Sequence, residues 1–290
     1  MTSEFYIFCY HMIGDIPNNA KNSSLYVSKR DFTLQLNMLK KKGFNFITLS
    51  EFFKIYHSLN EKSYIDASYN NNANKDYKIF QKFNFPMHLF DKFKSLYIKT
   101  KVSNKTYKKG NCDYYAIITF DDGYESVYKN AFNILKENEA KATVFLVSDL
   151  INGLNEWDIK KGGVPAPLLT TEQIKEMICY GIEFGAHSRT HKNLTNISYN
   201  EVCKEIIGSK NIIENMFNIN VNFFAYPYGH FNQIIKGVVE KAGFLGACST
   251  KPGLIKENID DFFELTRVSM TNSYKFRLKY FLKNKLFLKS

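Results

Sequence analysis

Between Tyr114 and Met270 the sequence switches repeatedly between short apolar runs and segments of helical period. The runs "YYAIITF", "KATVFLV", "IEFGAHS", "VNFFAYP", "FLGACST" and "FFELTRVSM" read as strands. Between them, "SVYKNAFNILKENE", "TTEQIKEMICYG", "SYNEVCKEIIGSKNIIENMF" and "NQIIKGVVEKAG" read as helices, with Thr170 or Thr171 as a plausible N-cap of the second. Strand–helix alternation of this kind requires parallel strands joined by crossovers. Upstream, "FYIFCYHMI" reads as a buried first strand. It is followed by a helix with Phe32, Leu36 and Leu39 at helical spacing and Gly43 as its stop, then by a short strand and a helix capped at Ser50. The class is α/β, and the expected fold is a distorted (β/α) barrel of seven or so strands. In such a barrel the chemistry sits at the C-terminal ends of the strands.

The pattern divides the chain at composition changes. Residues 1–56 form the N-terminal part of the barrel and residues 114–272 its main part. Residues 57–113 are rich in Asn and Lys and weakly periodic, and read as a partly disordered insertion with one small helical element. Residues 273–290 form a basic tail in which Phe276, Tyr280 and Phe287 are interspersed with Lys. That tail reads as a solvated helix packed on the barrel, or as a peripheral contact with an anionic membrane surface.

Charge excludes less than it suggests. The 290 residues carry 39 Lys and Arg against 28 Asp and Glu, a net charge of +11. Only four of the basic residues are Arg: Arg30, Arg189, Arg267 and Arg277. Nucleic-acid readers favour the Arg fork, so no nucleic-acid partner is expected. The five Cys are scattered, with no CxxC pair, and read as reduced thiols. Neither a signal peptide nor an apolar run long enough to span a membrane is visible, so the expected location is cytoplasmic, membrane-peripheral if the tail binds lipid.

The stretch "TFDDGY" places Asp121 and Asp122 directly after an apolar strand. Adjacent carboxylates repel, and one tends to stay protonated unless a cation is near. "FGAHSRTHKNL" adds His187 and His191 just past another strand. Two His separated by three residues, together with a carboxylate, match the ligand set of a catalytic divalent metal with one open position. One Asp would bind the ion and the other would take a proton from water; the residue types leave open which does which. In "FFAYPYGHFN", Tyr226, Pro227, Tyr228 and Gly229 make a rigid turn that reads as a groove wall stacking on a sugar ring, or as an ordinary βα turn. Trp157 in "NEWD" shapes the groove or caps the barrel. His57 and His88 lie in or near the insertion and read as structural, whereas His230 follows the aromatic turn and is a candidate substrate contact.

These motifs resemble those of the polysaccharide deacetylase family, carbohydrate esterase family four. "TFDDGY" matches the first motif of the family, "HSRTH" its His-Ser/Thr-x-x-His motif, and "AYPYG" stands where many members have Arg-x-Pro-Tyr. The resemblance implies Asp121 as general base and Asp122, His187 and His191 as ligands of zinc, with cobalt or nickel as alternatives. It implies removal of N-acetyl groups from N-acetylglucosamine-type residues of a glycan or sugar precursor. Two departures stand out. Ala225 replaces the motif arginine, and the late Leu-x-His motif that supplies a general acid is absent. Both recur in a subgroup resembling the circularly permuted poly-N-acetylglucosamine deacetylases, whose acid histidine lies in a Tyr-His pair on the first strand. Tyr10 and His11 stand in that place, so the resemblance implies His11 as general acid. Arg267, at the last strand, is expected to replace the missing arginine or to meet substrate. The competing readings are a hydrolase of another non-peptide amide and a non-catalytic glycan-binding relative.

Overall fold

The computed structural model describes residues 3–68, 113–253, 255, 259 and 261–272. The chain divides into two compact units, Ser50–Asn111 with Met1, and Thr2–Leu49 with Cys112–Ser290. In the first, the helix Leu49–Ser68 packs Phe52 against Tyr56 and Phe53 against His57, with tilted rings whose centroids are 6.0 Å and 4.3 Å apart. The helix therefore crosses the expected boundary at residue 57. It begins one residue before Ser50, so Ser50 lies inside it and is not its N-cap. The rest of the expected insertion, including His88, and the basic tail lie outside the described residues.

The second unit contains the barrel. Its strands are β1 (Ser3–Tyr10), β4 (Phe44–Ile47), β5 (Asp113–Phe120), β6 (Thr143–Leu146), β7 (Glu183–Ala186), β8 (Phe223–Ala225), β9 (Gly246–Pro252) and β10 (Leu265–Ser269). Two short strands, β2 (Met12–Ile13) and β3 (Tyr26–Val27), pair apart from it. Seven parallel strands close a ring in the order β1-β5-β6-β7-β8-β9-β10 and back to β1. Strand β4 adds to the outer edge of β5 along Tyr114–Ile117, and β6 takes over that edge at Thr119. Strands β1 and β5 pair over their full lengths, from Ser3↔Asp113 to Tyr10↔Phe120. Parallel strands buried on both faces read as continuous apolar runs, which is why "FYIFCY" and "YAIITF" carry no alternation.

The pleat sorts side chains into two sets. Tyr10 and Phe120 point outward and meet Phe32 of the helix Lys29–Lys41, Tyr10 edge-on at 5.1 Å. Cys9, Thr119 and Asp121 take the opposite face, where Arg267 meets them. The helices start where the sequence indicates. Thr170 and Ser198 close capping boxes on the helices Thr171–Tyr180 and Tyr199–Phe217, and Asn232 caps Gln233–Lys241. A smaller apolar cluster of Met12, Tyr26, Tyr124, Val147, Trp157 and Leu168 covers the rim past the ends of β1, β5 and β6. Among the described residues, no helix is long and apolar enough to cross a membrane.

Candidate active site

The first strand does not run on to Ile13. It stops at Tyr10, and His11 stands alone before β2. That break lifts His11 out of the ladder at the rim, with a quarter of its side chain exposed and its Nε2 4.0 Å from Asp121 Oδ2. Tyr10 points away, donating its hydroxyl to Gln35 Oε1 at 2.8 Å.

At the end of β5 the two aspartates separate. Asp121 continues the ladder, its N–H donating to Tyr10 O at 2.9 Å, and its side chain points into the barrel. Asp122 then turns into the left-handed region with φ 71°, and Gly123 follows with φ 70°. The positive φ favours glycine there, and a Cβ on Gly123 would also lie 2.9 Å from Leu146 Cδ2 and force that side chain to shift. Two adjacent carboxylates thus acquire different neighbours.

Asp121 is gripped by Arg267. The guanidinium donates from Nη1 to Oδ1 and from Nη2 to Oδ2, each at 2.7 Å, and from Nε to Ser249 O at 3.0 Å. Cys9 adds an S–H contact to Oδ2 at 3.6 Å. Burial pushes the Cys9 thiol well up, which keeps it a protonated donor. Burial also opposes the Asp121 carboxylate, but the charge and hydrogen bonds of Arg267 outweigh this and bring its pKa down to about 2. Cys9, His11 and Asp121 form a compact set of donor atoms. They are a poor cation site, because both Asp121 oxygens already face a guanidinium.

Asp122 faces the histidines instead. Its Oδ1 lies 3.3 Å from His187 Nε2 and 3.1 Å from His191 Nε2. His187 Nδ1 is 2.7 Å from Ala225 O, and a carbonyl only accepts, so Nδ1 carries a proton and Nε2 is the nitrogen that faces Asp122. Asp122 Oδ1 and His191 Nδ1 are buried without a hydrogen-bond partner. Burial holds His191 below its ordinary range, in the neutral form that ligates. Three inward-facing buried donor atoms with an orphaned oxygen among them fit a divalent cation, and Asp122, His187 and His191 would hold it. Seven non-Gly residues among those described have positive φ, and four of them, Asp122, Ser188, His191 and Tyr228, belong to this site.

The aromatic residues sit differently from the expected groove wall. Tyr226 is buried, with its hydroxyl donating to Phe263 O at 3.0 Å and its ring stacked on Phe231, and Pro227 is buried beside it. Only Tyr228 reaches the surface from that turn, with its ring edge-on to His191 at 4.6 Å. Trp157 is also buried and stacks on His191 at 4.3 Å, so it packs against that imidazole rather than lining an open groove. Arg267 is 1 % exposed and fully engaged with protein, which removes it as a direct substrate contact. His230 faces Asn193, with Nδ1 3.0 Å from the amide nitrogen. Cys9 and Thr119 were not among the expected site residues. Their positions two residues before His11 and Asp121, on the same face of each strand, were the available signal.

The family model described as polysaccharide deacetylase matches residues 108–247, the segment that carries both aspartates and both histidines. The chain carries a polysaccharide deacetylase domain. The chain is 32% identical over 137 residues to the Bacillus subtilis protein YxkH, named for the same family, covering 47% of this chain and 45% of that one. It is 26% identical over 155 residues to poly-beta-1,6-N-acetyl-D-glucosamine N-deacetylase of Staphylococcus aureus, covering 50% of this chain and 51% of that one. The chain thus spans about half the length of the curated relatives it matches. Solved structures extend the likeness of fold beyond the matched domain. Streptococcus pyogenes deacetylase PplD in complex with acetate superposes with TM-score 0.67 at 20% identity, over 97% of this chain and 98% of that one. IcaB from Ammonifex degensii does so with TM-score 0.65 at 17% identity, over 96% of each chain. The (β/α) barrel therefore includes β1 and β10, which lie outside the matched segment; His11 directly follows β1, and Arg267 lies on β10.

Proposed function

We propose that this chain is a metal-dependent hydrolase that removes N-acetyl groups from N-acetylglucosamine-type residues of a glycan or glycan precursor. The observation that carries the reading is the pairing of two differently placed carboxylates, Asp122 among His187 and His191, and Asp121 beside Arg267 and His11. The deacetylase domain and the named activity of the Staphylococcus aureus relative support the substrate class.

A divalent cation bound by Asp122, His187 and His191 would acidify water and polarise the acetamide carbonyl. Asp121 stays ionised at any working pH because Arg267 holds it at about 2. It is thus a permanent acceptor but a weak base, matched to a strongly acidified water. Arg267 and the Cys9 thiol fix the plane of its carboxylate. His11 stands at the rim beside Asp121 and supplies the proton that the departing amine needs. In the aromatic turn the N–H groups of Gly229 and His230 bond to Tyr226 O and Pro227 O, whereas no hydrogen bond among the described residues uses the Tyr228 N–H. That group is the candidate donor to the developing oxyanion.

The test is acetate release from N-acetylated glucosamine oligosaccharides of different linkage and length. Protein stripped by a chelator should be inactive and should recover with added Zn²⁺ or Co²⁺. Full turnover after complete stripping would overturn metal dependence, and no acetate from any N-acetylated sugar would favour another amide.

A further inference from the structure

The loop carrying His187 and His191 cannot hold its shape by itself. Between them the backbone enters the left-handed region at Ser188, φ 62°, and again at His191, φ 60°. Neither residue is glycine, so both conformations persist only where surrounding contacts over-determine them. The turn also leaves successive N–H groups pointing off any strand ladder, and each needs an acceptor.

Those acceptors come largely from one side chain on a different element. Glu205, on the helix Tyr199–Phe217, is 5 % exposed. Its Oε2 accepts from Arg189 N and from Thr190 N, each at 2.9 Å, and its Oε1 accepts from Thr190 Oγ1 at 2.6 Å. The next N–H, of His191, donates to Ser188 Oγ at 3.0 Å inside the loop. On the other side Ser148 N and Asp149 N donate to Ser188 O and Arg189 O at 3.2 Å and 3.0 Å. Asp149 also holds the Arg189 guanidinium, with its Oδ2 2.7 Å from Nη2. Among the described residues, Glu205 is the side chain that accepts from both N–H groups at the crown of the turn, directly before His191.

We infer that Glu205 is a positioning residue for the metal centre. It touches neither ion nor substrate. By satisfying two consecutive N–H groups and a hydroxyl it stabilises the backbone that aims His191 Nε2 at Asp122. The inference rests on the reading that Asp122, His187 and His191 hold the ion. Without Glu205 the loop relaxes from its left-handed conformations, and the second imidazole leaves the position the ion requires.

The experiment compares Zn²⁺ and Co²⁺ affinity by calorimetry, the visible spectrum of the Co²⁺-loaded protein, and Tm in the full chain. Glu205→Ala should weaken binding by roughly 10-fold or more and alter the Co²⁺ spectrum, the usual scale for loss of an outer partner of a metal ligand. Glu205→Gln should rescue it to within a few-fold, because the amide oxygen can take both N–H groups while its NH₂ donates to the Thr190 hydroxyl. Glu214→Ala is the control. Glu214 lies on the same helix but accepts from Val221 N and Lys210 Nζ, so that variant should lower Tm and leave metal affinity unchanged. If Glu205→Ala does not fold, Thr190→Val, which deletes one of the three contacts, should still weaken binding measurably. Wild-type protein that takes up no ion overturns the metal reading and the clamp with it. Wild-type protein that binds, with folded Glu205→Ala or its Thr190→Val substitute binding equally well, overturns the clamp alone. An affinity loss in Glu214→Ala equal to that in Glu205→Ala overturns it too, by tracing the effect to helix stability.

Discussion

Arg267, on the last barrel strand, grips both carboxylate oxygens of Asp121 at 2.7 Å, across 146 residues of sequence. The pair is buried on both sides, with side-chain exposures of 1% and 3%. The guanidinium reaches Asp121 from a different strand than the one that carries Ala225, whose carbonyl accepts from His187 Nδ1 at 2.7 Å.

Replacing Arg267 with Leu should therefore raise the pKa of Asp121. Burial pushes that carboxyl up, and the charge and hydrogen bonds of the guanidinium, followed by the charges of His187 and His11, bring it down to about 2. With the cation gone, the protonated, inactive form persists to higher pH, so the acidic limb of the pH–rate profile should move upward. Stability should change as well. The depressed carboxylate contributes stability above the ordinary Asp range and loses it as pH falls toward 2. Leaving Asp121 buried and unpaired should cost about 3–5 kcal/mol near neutral pH, read by denaturant unfolding. Arg267→Lys, which keeps charge but loses the fork, should fall between.

The two aspartates should separate in mutagenesis. Asp121→Asn should keep its ion and lose turnover by roughly 10²–10⁴, the usual worth of a general base. Asp122→Asn should lose metal affinity first, because its Oδ1 is the oxygen between His187 and His191. Metal content measured beside kcat decides. Loss of the ion from Asp121→Asn with retention by Asp122→Asn would reverse the assignment.

His11→Ala should bind metal and fold normally, yet turn over roughly 10²–10⁴ times more slowly. An amine leaves only with a proton, and His11 is the imidazole at the rim beside Asp121. The basic limb of the pH–rate profile should vanish with it. Wild-type kcat in this variant would remove His11 as the acid.

Gly229→Ala should disturb the aromatic turn. Gly229 has φ 70°, and a Cβ there would lie 1.8 Å from Thr250 Oγ1. Relief requires the turn to shift, carrying Tyr228 and its N–H away from His191. The expected result is a loss of about 1–3 kcal/mol in stability and a fall in kcat with the ion still bound. Unchanged kinetics would show that the turn does not serve the oxyanion.

Much of the fold was legible because its signals are local. Apolar runs separated by amphipathic segments require parallel strands with crossovers, and capping residues such as Thr170, Ser198 and Asn232 mark helix starts within a few residues. The donor set was legible for the same reason, since Asp122, His187 and His191 all lie just past strand ends. The aromatic turn was read less well. Alternation cannot say that Tyr226 folds inward onto Phe231 while Tyr228, with φ 58°, turns out.

The sequence by itself determined the chemistry on offer: two carboxylates and two imidazoles at strand ends, and a histidine after the first strand. Only the tertiary structure decided how they divide the work. Asp121 and Asp122 are chemically identical neighbours, and a left-handed φ at Asp122 sends one toward Arg267 and the other toward the histidines. Barrel closure pairs β1 with both β5 and β10, which brings Cys9, His11 and Arg267 to Asp121 from the two ends of the barrel sequence. Such contacts depend on ring order and register, which are set by packing of the whole core and leave no mark in any short stretch of residues.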